Sequence, residues 1–128
     1  MSAFQSAVES KDTATIADAL SPDVIFRSPA VHKPYEGRDL VLMILGAVVQ
    51  VFEDFSYVGR LSDGDEEMLR FKARVGDREV DGVDIVRYGA DGLVEELSVM
   101  IRPLSALVAV KDAMGAKLAE FAQAGGQA

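Results

Sequence analysis

The sequence predicts an α+β fold in which helices precede a run of antiparallel strands, and three observations carry that reading. Residues 38–52 are apolar on nearly every side, as expected of a helix buried all round and packed across a sheet. Residues 68–75 alternate cleanly, with Leu69, Phe71, Ala73 and Val75 on one side of a strand and Arg70, Lys72 and Arg74 on the other. Gly76-Asp77 and Gly89-Ala90-Asp91-Gly92 are hairpin signals that join this strand to those that follow.

The elements follow in order. Residues 1–20 read as two short helices. The first, Ser2 to Glu9, has Phe4 and Val8 at helical spacing; the second starts at Asp12, a good N-cap, and carries Ile16, Ala17 and Leu20. Ser21-Pro22-Asp23 ends it. A strand over 24–28 is stopped by Pro29, and Pro29 to Gly37 is a loop with His32 in its middle. After the helix at 38–52 comes a sheet over 54–102. Its first strand holds Phe55, Tyr57 and Leu61 and turns at Ser62-Asp63-Gly64-Asp65. In its last strand Leu97, Val99 and Ile101 alternate with Ser98, Met100 and Arg102, and Pro103 stops it. Arg102 is expected to face outward. A final helix over 104–121 places Leu107, Met114, Leu118 and Phe121 on one stripe, and the tail Gln123 to Ala128 should fray. With no internal repeat and no linker, residues 1–128 form one domain.

Composition removes several classes of function. A net charge of -8 repels phosphate backbones and anionic headgroups, so neither nucleic acid nor a membrane surface is an expected partner. The chain has no cysteine and a single histidine, which argues against a thiolate or histidine-rich metal centre and against a cysteine nucleophile. The N-terminus lacks the pattern of a secretory signal, and the most apolar run, 40–52, is too short to span a bilayer. A cytoplasmic protein is expected.

The residue on which function turns is Asp84, a carboxylate in an otherwise apolar strand. Val80, Gly82, Asp84 and Val86 share one face, and Asp81, Val83, Ile85 and Arg87 the other. Asp81 and Arg87 suit solvent, which points Asp84 inward, with Gly82 beside it leaving room for a ligand to approach the backbone. Desolvation there would raise its pKa and make it an acid or base near neutral pH; the alternative is a carboxylate paired at a pocket wall without turnover. His32 either caps a turn in its loop or reaches inward as a proton shuttle opposite Asp84. Tyr35 offers a phenol to a ligand or packs as a lid, and Ser28 has no evident base to activate it.

The segments DVIFRSPAVHKPYEGRDLV and DIVRYGADGLVEE, in this order of elements, resemble the nuclear transport factor 2-like superfamily, which includes ketosteroid isomerases and SnoaL-like polyketide cyclases. The resemblance runs from about Phe4 to Ile101. It implies a cone, in which a strongly curved, mainly antiparallel sheet wraps around the N-terminal helices, with a C-terminal helix added. It also implies an apolar interior pocket and a homodimer through the outer face of the sheet.

Carried over residue by residue, the isomerase pattern is incomplete. Its oxyanion-hole tyrosine falls on Phe4, its general base on Ser28 before Pro29, and its protonated carboxylic acid on Asp84. SnoaL-like cyclases resemble the chain at Asp84, where they place an acid/base aspartate. The resemblance therefore implies a cofactor-independent isomerase or cyclase for a small hydrophobic carbonyl compound. Asp84 and His32 are its candidate catalytic groups, and Phe4, Ser28, Tyr35, Gly82, Val86, Leu97 and Val99 its ligand-binding wall. The alternatives are a module that binds a small hydrophobic ligand without turnover and a dimerising scaffold. Neither cofactor nor metal is expected.

Overall fold

The computed structural model describes residues 3–126. Four helices, α1 (Ala3–Ser10), α2 (Thr13–Ala19), α3 (Arg38–Val51) and α4 (Leu104–Gly126), accompany strands β1 (Leu20–Arg27), β2 (Tyr35–Glu36), β3 (Glu53–Asp63), β4 (Glu66–Val75), β5 (Arg78–Tyr88) and β6 (Val94–Arg102). The strands form one six-stranded, unclosed sheet in the order β2-β1-β6-β5-β4-β3. Only β1 and β6 run parallel; every other pair is antiparallel. Irregularities in register along β1, β3 and β6 let the sheet curve into a cone. No helix of the described residues is long and apolar enough to cross a membrane.

The second helix is one residue shorter than expected, and Ser21-Pro22-Asp23 is strand rather than turn. Leu20, fully buried, leaves α2 to pair with Val94, and the register shifts between Leu20 and Ile25. Pro22 lies in that irregular stretch, where an absent N–H breaks no regular ladder. The Arg38 guanidinium fixes the corner, donating two hydrogen bonds of 2.8 and 3.1 Å to the Leu20 carbonyl. The loop after β1 contains β2, which pairs with Ile25 and Phe26.

Helix α3 buries Val41, Ile44, Leu45 and Ala47 but leaves Leu40 and Met43 exposed, so its burial is one-sided. The sheet and the other helices cover one flank only. In β4 the expected alternation is present: Leu69, Phe71 and Ala73 are buried, and Arg70 and Lys72 are exposed. The same parity buries Glu67. In β3 the expectation for Leu61 fails. A shift between Tyr57 and Gly59 exchanges the two faces, so Arg60 pairs inward with Leu69 while Leu61 turns outward and is 74% exposed.

Arg102 faces outward as expected, 3.5 Å from Asp81 of its own chain. Helix α4 continues beyond Phe121 to Gly126; Gln127 and Ala128 of the tail lie outside the described residues. Ala106 and Val110 of α4 pack with Phe71, Ala73 and Val80 in a cluster separate from the larger core formed by α1, α2, α3, β1 and neighbouring strands. A cavity remains between the two clusters.

Candidate functional site

The cavity holds about 340 Å³, at the small end of the ~300–1,000 Å³ usual for small-molecule sites. The inner face of the sheet, helix α3 and helix α4 wall it. Phe52, Phe55, Tyr57 and Phe71 line one side as an aromatic group, with Phe55 stacked 5.2 Å from Phe71 and edge-on to Tyr57 at 4.9 Å. From α4, Leu107, Val110, Lys111, Met114 and Leu118 close over it.

Asp84 sits in mid-strand on β5, opposite Leu69 of β4 and Val99 of β6. It lines the cavity and is 7% exposed. Its Oδ2 accepts a 2.8 Å hydrogen bond from the Tyr57 hydroxyl, while Oδ1 takes no hydrogen bond from any described residue. Desolvation raises the Asp84 pKa to about 7, against a smaller lowering by the Tyr57 bond. Burial, and then the Asp84 charge, push the Tyr57 phenol far above its ordinary value. At neutral pH the phenol therefore keeps its proton while the carboxyl exchanges its own.

Phe4, Ser28, Tyr35, Leu97 and Val99 line the cavity as the sequence suggests. Ser28 Oγ accepts the Ala30 N–H at 3.1 Å, which leaves its own proton available, and the Tyr35 ring packs 6.3 Å from Phe26. Three expected positions fall elsewhere. Gly82 offers no room to a ligand, because a Cβ there would collide with the Phe71 ring and lie 2.8 Å from the Met100 carbonyl oxygen. The Phe71 ring already covers it. Val86 is wholly buried core, away from the cavity. His32 is exposed and does not line the cavity, although Ala30 and Val31 do. The loop turns outward at His32, and the group that reaches Asp84 is Tyr57. Among the described residues no cluster of three or more His, Asp or Glu side chains is placed to hold a metal ion.

Two polar features were not anticipated. Tyr57 reads in sequence only as an apolar strand residue; the available signal was that a buried phenol seeks a partner. Glu67 is 3% exposed. Its Oε2 accepts from Arg60 Nε at 2.7 Å and its Oε1 from the Tyr88 hydroxyl at 2.9 Å. Tyr88 in turn accepts the Phe4 N–H at 3.3 Å, tying α1 to the sheet.

A cone-shaped α+β fold with a buried carboxyl in its cavity defines a class, and comparison with known proteins agrees with it. The chain belongs to the SnoaL-like domain family, which it matches over residues 1–97. It is 42% identical to a steroid delta-isomerase from Pseudomonas aeruginosa, with a TM-score of 0.89 over 94% of this chain and 89% of that one. An uncharacterised protein with a cystatin-like fold from Silicibacter pomeroyi is 34% identical, with a TM-score of 0.90 over 94% and 86% of the two chains. A putative ketosteroid isomerase from Kribbella flavida shares the fold at 20% identity, with a TM-score of 0.65 over 79% and 73%. No curated protein matches the sequence.

Proposed function

We propose that the protein is a cofactor-independent isomerase or cyclase that moves a proton on a small hydrophobic carbonyl compound through Asp84. The observation that carries this reading is a carboxyl with a pKa near 7 at an apolar cavity, one oxygen held by a phenol and the other open to a ligand. A base tuned near ambient pH can both take a proton and return it. Ionised Asp84 removes a proton from the carbon beside the carbonyl. In a β,γ-unsaturated carbonyl compound the C–H electron pair moves into a dienolate, and the carboxylic acid then returns the proton to the γ-carbon as the double bond moves into conjugation, giving the isomer. In a cyclase the enolate carbon instead attacks a second carbonyl of the same molecule, whose π electron pair moves to its oxygen, and that oxygen takes the proton from the Asp84 carboxylic acid. Tyr57 is a positioning residue that holds the carboxyl through Oδ2. Ser28 and Tyr35 are wall hydroxyls able to donate to the enolate oxygen.

The name of the 42% identical relative supports the isomerase class. Phe4 and Ser28, standing where ketosteroid isomerases resemble this chain with a tyrosine and a base, move the proton transfer to Asp84.

The test is deuterium exchange at the α-carbons of a medium-chain ketone such as 2-decanone in D2O. Wild type should accelerate exchange, and Asp84→Asn should lose about 10²–10⁴-fold of that acceleration. Exchange that survives in Asp84→Asn sinks the proposal. So does a carboxyl pKa at or below about 3.9 by NMR titration. A second reading, ligand binding without turnover, is favoured by the same Phe4 and Ser28 replacements; it requires ketone binding with no exchange in wild type.

We propose further that two copies pair through the outer face of the sheet. Leu61 and Met68 are opposed in register, Ile85 follows Met68, and Val83 opposes Met100, so a partly exposed apolar strip crosses β3 to β6. Met68→Glu should shift the sedimentation coefficient from dimer to monomer; a wild type that sediments as a monomer removes the pairing.

A further inference from the structure

Three charged side chains line the cavity, and they sit at different depths. Asp84 is buried, whereas Lys11 and Lys111 are exposed and therefore belong to the rim. The lysines come from opposite ends of the chain. Lys11 closes α1, its N–H bonded at 3.0 Å to the Val8 carbonyl, in a left-handed conformation with φ 58° that glycine adopts more readily. Lys111 lies on the face of α4 that covers the cavity. Neither takes part in an ion pair among the described residues. In a protein of net charge -8, the two exposed charged residues that line the cavity are both cationic.

We infer that the cavity takes an amphipathic anion: an apolar carbonyl compound that also carries a carboxylate or phosphate, bound with that group between Lys11 and Lys111. The inference deepens the acid/base reading of Asp84 and rests on it for the ligand's orientation. An anion could not lie at the inner end, where it would be desolvated among aromatic rings and would meet the Asp84 charge. At the rim it stays hydrated and gains two ammonium partners. The uncharged end then lies inward, and a carbonyl in the body of the ligand can come within reach of Asp84 Oδ1. The lysines also make the entrance a local attractor for anions on a surface that otherwise repels them.

The test compares decanoate, decyl phosphate and decanol by calorimetric titration at low salt, in wild type, Lys11→Gln, Lys111→Gln and the double variant. Both lysines are exposed, so the variants should fold as wild type does. The anions should bind about tenfold tighter than decanol, each substitution should remove about 2–5-fold of that preference, and the double variant should abolish it. Salt should weaken anion binding and leave decanol unchanged. Decanoate binding alone assigns a carboxylate and decyl phosphate binding alone a phosphate; binding of both assigns an unselective anion site. Equal affinity for anions and decanol, failure of all three to bind, or a preference that survives in the double variant overturns the inference. None of these outcomes depends on turnover, whereas the acid/base reading fails separately, through ketone exchange that persists in Asp84→Asn.

Discussion

Asp84 and Glu67 are both buried on the inner face of the sheet, on adjacent strands, and they have different partners. Glu67 accepts hydrogen bonds from the Arg60 guanidinium and the Tyr88 phenol. Asp84 meets one phenol and a cavity. The register shift in β3 makes the difference, since it turns Arg60 inward beside Glu67 and leaves Tyr57, on the near side of the shift, beside Asp84. The two carboxyls therefore differ not in burial but in partners: a cation lies beside Glu67, and open space lies beside Asp84.

The contrast can be broken in three ways. The largest effect is on stability against pH. The folded Asp84 pKa of about 7 lies above its unfolded value of about 3.9, so between those limits the folded chain binds more protons than the unfolded one. Stability from this group is full below the unfolded pKa and declines as pH rises through 7. Denaturant melts should show wild type losing on the order of 3 kcal/mol between pH 5 and 8, and Asp84→Asn should flatten the decline. Glu67→Gln should act oppositely at neutral pH, destabilising by about 2 kcal/mol; the usual penalty for breaking a buried pair is reduced because the Arg60 side chain is 43% exposed and can rehydrate. The smallest effect, about 1 kcal/mol, belongs to Tyr57→Phe, which removes one hydrogen bond. Because that bond lowers the Asp84 pKa, NMR titration should find the carboxyl titrating higher in the variant. A Glu67→Gln protein as stable as wild type would show that the guanidinium contributes nothing to distinguish the two sites.

Much of the fold was legible because strand parity and turn chemistry are local. Leu69, Phe71 and Ala73 declared their face, and the glycines at 64, 76 and 92 take the positive φ that their turns require. The same parity carried Glu67 inward, a signal present in the sequence and not used. What could not be read depends on contacts between distant residues. A shift between Tyr57 and Gly59 is invisible to a period-two pattern, so Leu61 was assigned to the wrong face and Arg60 was missed. Leu20 left its helix for a partner 74 residues away, Val94. At the site, Asp84 was legible as an inward carboxylate in an apolar strand. The choice between His32 and Tyr57 as its neighbour was not, because it depends on how a loop and a bulged strand lie in space.

Gly82 carries a consequence for the shape of the cavity. The position does not line the cavity, yet it seats the ring of Phe71, which does. A single added methyl would collide with that ring and with the Met100 carbonyl oxygen of the neighbouring strand, so it would strain the pairing of β5 with β6 as well as displace the ring. The shape of the cavity is thus set in part from behind its wall. Substitution at this one solvent-shielded position would reshape the wall while leaving the chemistry of every lining side chain unchanged.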